Sequence, residues 1–261
     1  RGLRLFGGGA QAALAAYGVI QGMSLPILLF PAALIAVIAD LIVPELTEAQ
    51  VQGRLRGLGY MLERLYRLGL FFSMAVAGAC FFFAHPLGEL IYSEPAAGQY
   101  IRLLAPLVPI MYMDTLVDGM LKGVGEYRAN MRYNIIDAAT GLLLVWLLLP
   151  RYGVAGYLFS ICATELLNFA LSAARLTRVT VFRLQPLCWL LTAAAAVGGW
   201  WLLRLIFGRL LSRTGQPLIL LLLVFLYLAC YGAALLLCGA LRREELSWLF
   251  SLLRGEKSPK T

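Results

Sequence analysis

Charge is scarce in this 261-residue chain: Asp, Glu, Lys and Arg make up 14% of it, against 61% hydrophobic residues. With a mean hydropathy of +0.80, that scarcity excludes a soluble globular domain of this size and leaves an integral membrane protein. Histidine occurs once, at His85, where an apolar run stops, which fits a solvated or cap-like position better than catalysis. The cysteines Cys80, Cys162, Cys188, Cys230 and Cys238 form no CxxC pair and have no histidine neighbour. They read as small residues of apolar runs, so no metal, redox centre or cofactor is expected. Neither an HExxH motif nor a nucleophile–base pair is present, and Gly7-Gly8-Gly9 lacks the GK[ST] of a phosphate-binding loop. No enzyme is expected. The chain opens on Arg1 without a methionine or a signal peptide, so the front of a longer protein is expected to be missing.

What is present is a series of long apolar runs separated by short charged stretches. Residues 1–12 read as a connector, and the first span covers about 13–43. Pro26 and Pro31 each remove an amide donor there, so a kink or break is expected between Gly22 and Pro31. The polar stretch 44–67 reads as an interfacial helix feeding a second span at about 68–84, and 87–100 as a loop. A third span starts near residue 101 or 103 and ends in a tight turn at Gly123-Val124-Gly125. The fourth and fifth spans, at about 132–149 and 154–175, are joined by a turn at 150–156. A sixth and a seventh, at about 187–207 and 217–241, contain no Asp, Glu or Lys and read as lipid-facing or peripheral. Residues 242–261 read as an interfacial helix with a basic tail.

The third span is where charge enters an apolar segment. Asp114, Asp118 and Lys122 follow one another at intervals of four, within roughly 80° of one helix face. At about 1.5 Å of rise per residue, Asp114 falls near the middle of a hydrocarbon core about 30 Å thick. A carboxylate there costs at least about 2.5 kcal/mol on insertion scales, so it is expected to face protein or a water-filled cavity. Glu165 falls near the middle of the fifth span with Asn168 three residues on, and Asp137 lies as deep from its side as Asp118. These two aspartates meet if their helices pack side by side. Two roles stay open for Asp114, Asp118, Asp137, Glu165 and Asn168: hydrogen bonds between helices, or the lining of a cavity that takes substrate or a coupling cation.

The net charge of +8 does not point to nucleic acid, because the basic residues sit between apolar runs without interleaved aromatics. Placing 44–67, 122–132, 175–186 and the tail on one side collects about twice as many Lys and Arg there as on the other. That side is expected to be cytoplasmic, with the beginning of the chain outside.

Three segments carry a resemblance: Pro44-Glu-Leu-Thr47-Glu48-Ala49 after the proline-rich first span, Gly123-Val-Gly125 closing the third, and Pro150-Arg-Tyr-Gly153-Val-Ala-Gly156 between the fourth and fifth. Together they make the chain over 17–176 resemble the polysaccharide and oligosaccharide flippase family, of the stage V sporulation protein B type, in the multidrug/oligosaccharidyl-lipid/polysaccharide exporter superfamily. The last two spans fit by position and hydropathy alone. The resemblance implies an all-α fold of about fourteen helices in two related halves, of which this chain is the second. Residues 13–180 are then the transmembrane core of that half, and 181–241 hold two additional helices. It further implies alternating-access export of a lipid-linked saccharide for the cell envelope from the plasma membrane, the missing first half supplying the other wall of the cavity. Arg54, Arg56, Lys122, Arg128 and Arg132 are then candidates to meet a polyprenyl diphosphate headgroup, since Arg binds phosphate oxygens bidentately. A cation-coupled drug exporter of the same superfamily, or a seven-helix protein that transports nothing, are the alternatives.

Overall fold

A computed structural model of the chain describes residues 10–182, 186–211 and 216–237, all helix and turn with no strand among them. The triple-glycine lead-in, Cys238 and the tail at 242–261 lie outside the described residues. α1 (Ala10–Val19) passes through a π-helical turn (Ile20–Ser24) into the short α2 (Leu25–Leu29), and α3 (Ala32–Val51) follows. The expected break is present, and the prolines account for its form. Pro26 cannot donate to the Gly22 carbonyl, and the chain slips into a wider register in which the Leu25 amide donates to Ile20 O. Pro31 repeats the loss one turn on, and the helices on its two sides stand 51° apart.

The expected interfacial helix at 44–67 does not exist as a separate element. Pro44 sits inside α3, whose buried positions Ile35, Ala39, Ile42 and Leu46 keep helical spacing straight across it. The turn is confined to residues 52–54, with Gly53 at φ 68°. α4 (Leu55–Phe82) then starts thirteen residues earlier than the expected second span, because Leu58, Leu62 and Leu65 extend its buried face into the charged stretch. The average charge of the stretch concealed two amphipathic helix ends. The expected loop at 87–100 is also helical: α5 (Ala84–Tyr92) closes on Ser93 at φ 54°, and α6 (Pro95–Leu104) is capped by Glu94, whose Oε1 accepts from Ala96 N at 3.3 Å. A single 3-10 turn (Ala105–Leu107) around Pro106 carries α6 into α7 (Val108–Gly123).

α7 ends in a Schellman arrangement in which Glu126 N donates to Leu121 O at 2.9 Å and Gly125 N to Lys122 O at 3.1 Å, with Gly125 at φ 80°. Gly125 supplies the positive φ, whereas Gly123 is still helical and lets α3 come close, a Cβ there lying 2.8 Å from Leu46 Cβ. α8 (Tyr127–Val179) is broken at Gly153, φ 57° and ψ −133°, just after Pro150. Its limbs, 127–152 and 154–179, fold back on each other, so that a Cβ on Gly141 would lie 3.4 Å from Thr164. α9 (Pro186–Leu211) and α10 (Pro217–Leu237) complete the bundle. Among the described residues five helices are long and apolar enough to cross a membrane, or six with the bent α1–α3 pair taken as one span, where seven spans were expected; the expected fourth and fifth spans are the two limbs of the single element α8.

α7 is the axis of the core, with Tyr112, Met113, Leu116, Val117, Met120 and Leu121 buried between α3, α4 and α8. α9 and α10 cover one side of α4, where Tyr231 Oη donates to Phe71 O at 3.0 Å, and their remaining faces are exposed as expected of peripheral spans. In α4, 61% of the most apolar stretch is buried, but in α8 only 11%, leaving Leu142, Trp146 and Phe159 on the outside of the bundle.

Candidate functional site: a polar ladder between α7 and α8

Asp114 and Asp118, one turn apart on α7, meet Asn168 and Ser172, one turn apart on the second limb of α8. Asn168 Nδ2 donates to Asp114 Oδ2 at 2.8 Å, and Ser172 Oγ donates to Asp118 Oδ1 at 3.0 Å. The two rungs have the same offset in sequence, so this limb runs parallel to α7. The first limb adds Asn130 and Asn134, also one turn apart. Asn130 Nδ2 donates to Asp118 O at 3.1 Å, and Asn134 Nδ2 to Asp118 Oδ2 at 3.3 Å and to Asn130 Oδ1. Asn134 Oδ1 in turn stands 3.5 Å from Asn168 Nδ2, which joins all three helices. Beyond the last rung, Arg175 and Glu126 form a bidentate ion pair at 2.9 Å, both side chains part-exposed.

The two aspartates are not equivalent. Both carboxylate oxygens of Asp118 accept hydrogen bonds. Asp114 is 9% exposed, with one donor on Oδ2 and a buried Oδ1 that has none. Asn168 Oδ1 and Asp137 Oδ1 are likewise buried acceptors without a donor. Such groups cost about 1–3 kcal/mol apiece. Asp114 lies within repulsive range of Asp118, Asp137 and Glu165, and Asp137 within that of Asp118 and Glu165, while Lys122 attracts Asp118. The site is thus rich in buried acceptors and poor in donors, which suits a proton, a cation or the hydroxyl and amide groups of a ligand. Among the described residues no three His, Cys, Asp or Glu converge closely enough to hold a metal ion.

Asp114, Asp118 and Asn168 are brought together, a contact between α7 and the second limb of α8 that the sequence reading did not specify. Glu165, half-buried, is near Asp137 and not on the ladder itself. Asp137 comes within Coulombic range of Asp118, but Asn134, a turn earlier, makes the contact. Pro26 and Pro31 lie at the helix break. Arg54, Arg56, Lys122, Arg128 and Arg132 are all exposed. They gather at one end of the bundle, where Thr47 Oγ1 donates to Gly123 O at 3.0 Å and ties the end of α3 to the end of α7. Asn130, Asn134 and Ser172 escaped the sequence reading. Their signal was the interval of four in Asn130/Asn134 and Asn168/Ser172, which repeats that of Asp114/Asp118.

Residues 5–147, more than half of the chain, match the MatE family model. The chain belongs to the MatE family. The match takes in α1 through most of the first limb of α8, including Asp114, Asp118, Asn130, Asn134 and Asp137. Stage V sporulation protein B of Bacillus subtilis (strain 168) is 27% identical over 179 residues, which are 68% of this chain and 35% of that protein. The chain therefore spans about a third of the length of this relative. Family and helices together make it a multi-pass membrane protein of the MATE-like kind, all-α over the described residues.

Proposed function

We propose that the chain forms one wall of a transporter that moves a lipid-linked oligosaccharide or cell-envelope polysaccharide precursor outward by alternating access. The observation that carries this reading is the α7–α8 ladder, a set of buried, under-donated acceptors in a bundle of membrane-length helices. Intramembrane acids of this kind mark substrate or ion pathways more often than they mark packing. The exposed arginines at the Gly123–Tyr127 end support a polyanionic headgroup such as a diphosphate, approached from the cytoplasm. The partner is the remainder of the same protein, which supplies the facing wall. The decisive experiment reconstitutes the protein from its complete gene into liposomes with a labelled lipid-linked oligosaccharide and follows its exposure to an external quencher. Movement across the bilayer is the expected result. Proton- or sodium-driven efflux of a hydrophobic cation without lipid movement would replace this reading with that of a cation-coupled exporter, which the uncompensated acidic cluster favours.

The same reading places the beginning of the chain outside and its end in the cytoplasm. In a version without its own cysteines, Arg56→Cys is expected to react with an impermeant thiol reagent only after permeabilisation, and Glu94→Cys in intact cells. The reverse pattern would invert the topology.

A further inference from the structure

Away from the ladder, two cavities meet at one end of the bundle. The larger, about 570 Å³, is a groove between α4, the 3-10 turn before α7, and α9. Phe81, Phe82, Trp189, Trp200 and Trp201 wall it, and Arg204 is the one charged group among its described lining residues. The smaller, about 410 Å³, shares Phe81 and Pro106 with the groove and adds His85, Gln99 and Arg102. No acidic side chain lines either cavity among the described residues.

The direction of the groove follows from three contacts. Trp189 Nε1 donates to Tyr66 Oη at 3.0 Å, a Cβ on Gly78 would touch Ala196 at 3.5 Å, and Phe82 stacks on Trp200 at 4.5 Å. α4 and α9 are therefore parallel, and Arg204, one turn past Trp200, emerges where α4 stops. His85 and Arg102 stand at that same end. The Arg102 guanidinium lies over the Phe81 ring at 5.1 Å, and that of Arg204 over Trp201 at 6.0 Å. The result is an apolar trough with a basic, aromatic mouth. No residue of α8 lines it, and Pro109 and Ile110, its α7 contribution, precede Asp114 by more than one turn.

We propose that this groove holds one anionic glycerophospholipid of the surrounding bilayer, an acyl chain along the tryptophan wall and the phosphate beneath Arg102 and Arg204. Charge complementarity selects the headgroup: the described residues lining the two cavities include two guanidinium groups and no carboxylate. The location selects the source. Exposed Val197, Trp201 and Leu205 flank the trough on α9, so its occupant enters from the lipid around the bundle and not through the ladder. A volume of about 570 Å³ is within the range of small-molecule sites.

Native mass spectrometry of the detergent-purified protein from its complete gene, titrated with dioleoyl-phosphatidylglycerol or dioleoyl-phosphatidylcholine, tests this. Phosphatidylglycerol is expected to be retained over phosphatidylcholine, each arginine contributing about fivefold. The mild pair Arg102→Gln and Arg204→Gln should abolish that preference while leaving phosphatidylcholine unaffected. Ala193→Trp, which fills the trough, should reduce retention of both lipids. Equal retention of the two lipids by the unaltered protein, or a preference that survives the glutamine pair, would overturn the proposal. So would displacement of phosphatidylglycerol by equimolar undecaprenyl diphosphate, which would make the groove a site for a polyprenyl chain.

Discussion

Asp114→Asn in the protein made from its complete gene is expected to reduce transport at least about tenfold, the loss that follows removal of a charge-assisted contact of about 1.5–3 kcal/mol. The same change should leave the amount and thermal stability of the inserted protein unchanged or raised. Interhelical hydrogen bonds in membranes contribute on average about 0.6 kcal/mol each, whereas an Asp at the bilayer centre costs about 2.5 kcal/mol or more. The one bond from Asn168 does not offset that cost, and an Asn at 114 keeps an acceptor for it. Stability alone would favour the amide, so a carboxylate at this position implies use. Glu165→Gln should behave similarly but more weakly, since Glu165 is half-buried. Asp118→Asn should differ in kind. Both oxygens of Asp118 already accept, and an amide nitrogen would face the donors Ser172 Oγ or Asn134 Nδ2, so its first effect is on folding. Complementation of a strain lacking its own flippase, normalised to membrane protein by immunoblot, separates the outcomes. Full activity in Asp114→Asn and Glu165→Gln alike would make these acids packing residues.

Gly153→Ala is expected to destabilise the protein by about 1–3 kcal/mol, because φ 57° with ψ −133° is a conformation that a residue with a Cβ occupies only under strain. The consequence reaches the ladder. The reversal at Gly153 is what returns α8 alongside itself and sets Asn134 near Asn168, so a shifted turn moves the donors away from Asp114 and Asp118. Transport should fall along with stability. Gly232→Ala is the control, since a Cβ there meets nothing within 4 Å. The readout is the temperature at which half of the solubilised protein disappears from its monodisperse peak on heating. A Gly153→Ala protein as heat-resistant as Gly232→Ala would show that the turn tolerates a side chain.

The hydropathy of the chain determines a great deal. Long apolar runs have no stable state in water, and a helix is the open-ended segment that satisfies its own backbone in lipid. Membrane class, the break around Pro26 and Pro31 and the turns at Gly125 and Gly153 were all legible, because each depends on residues adjacent in sequence. The extents of α3 and α4 were not. Charged side chains raise the average polarity of 44–67, yet Leu46, Leu58 and Leu62 are each buried on a single face, and which face is covered depends on α7 and its neighbours. The ladder divides in the same way. Asp114 and Glu165 stand out by the cost of a carboxylate among apolar residues, whereas Asn130, Asn134 and Ser172 are cheap to place anywhere on a helix and acquire meaning only through what lies opposite. The sequence could place Asp114 at mid-depth. Only the packing of α7 against both limbs of α8 could saturate Asp118 and leave an oxygen of Asp114 without a donor, since Asn168 and Ser172 lie 54 residues from their partners and meet them through a reversal of the chain.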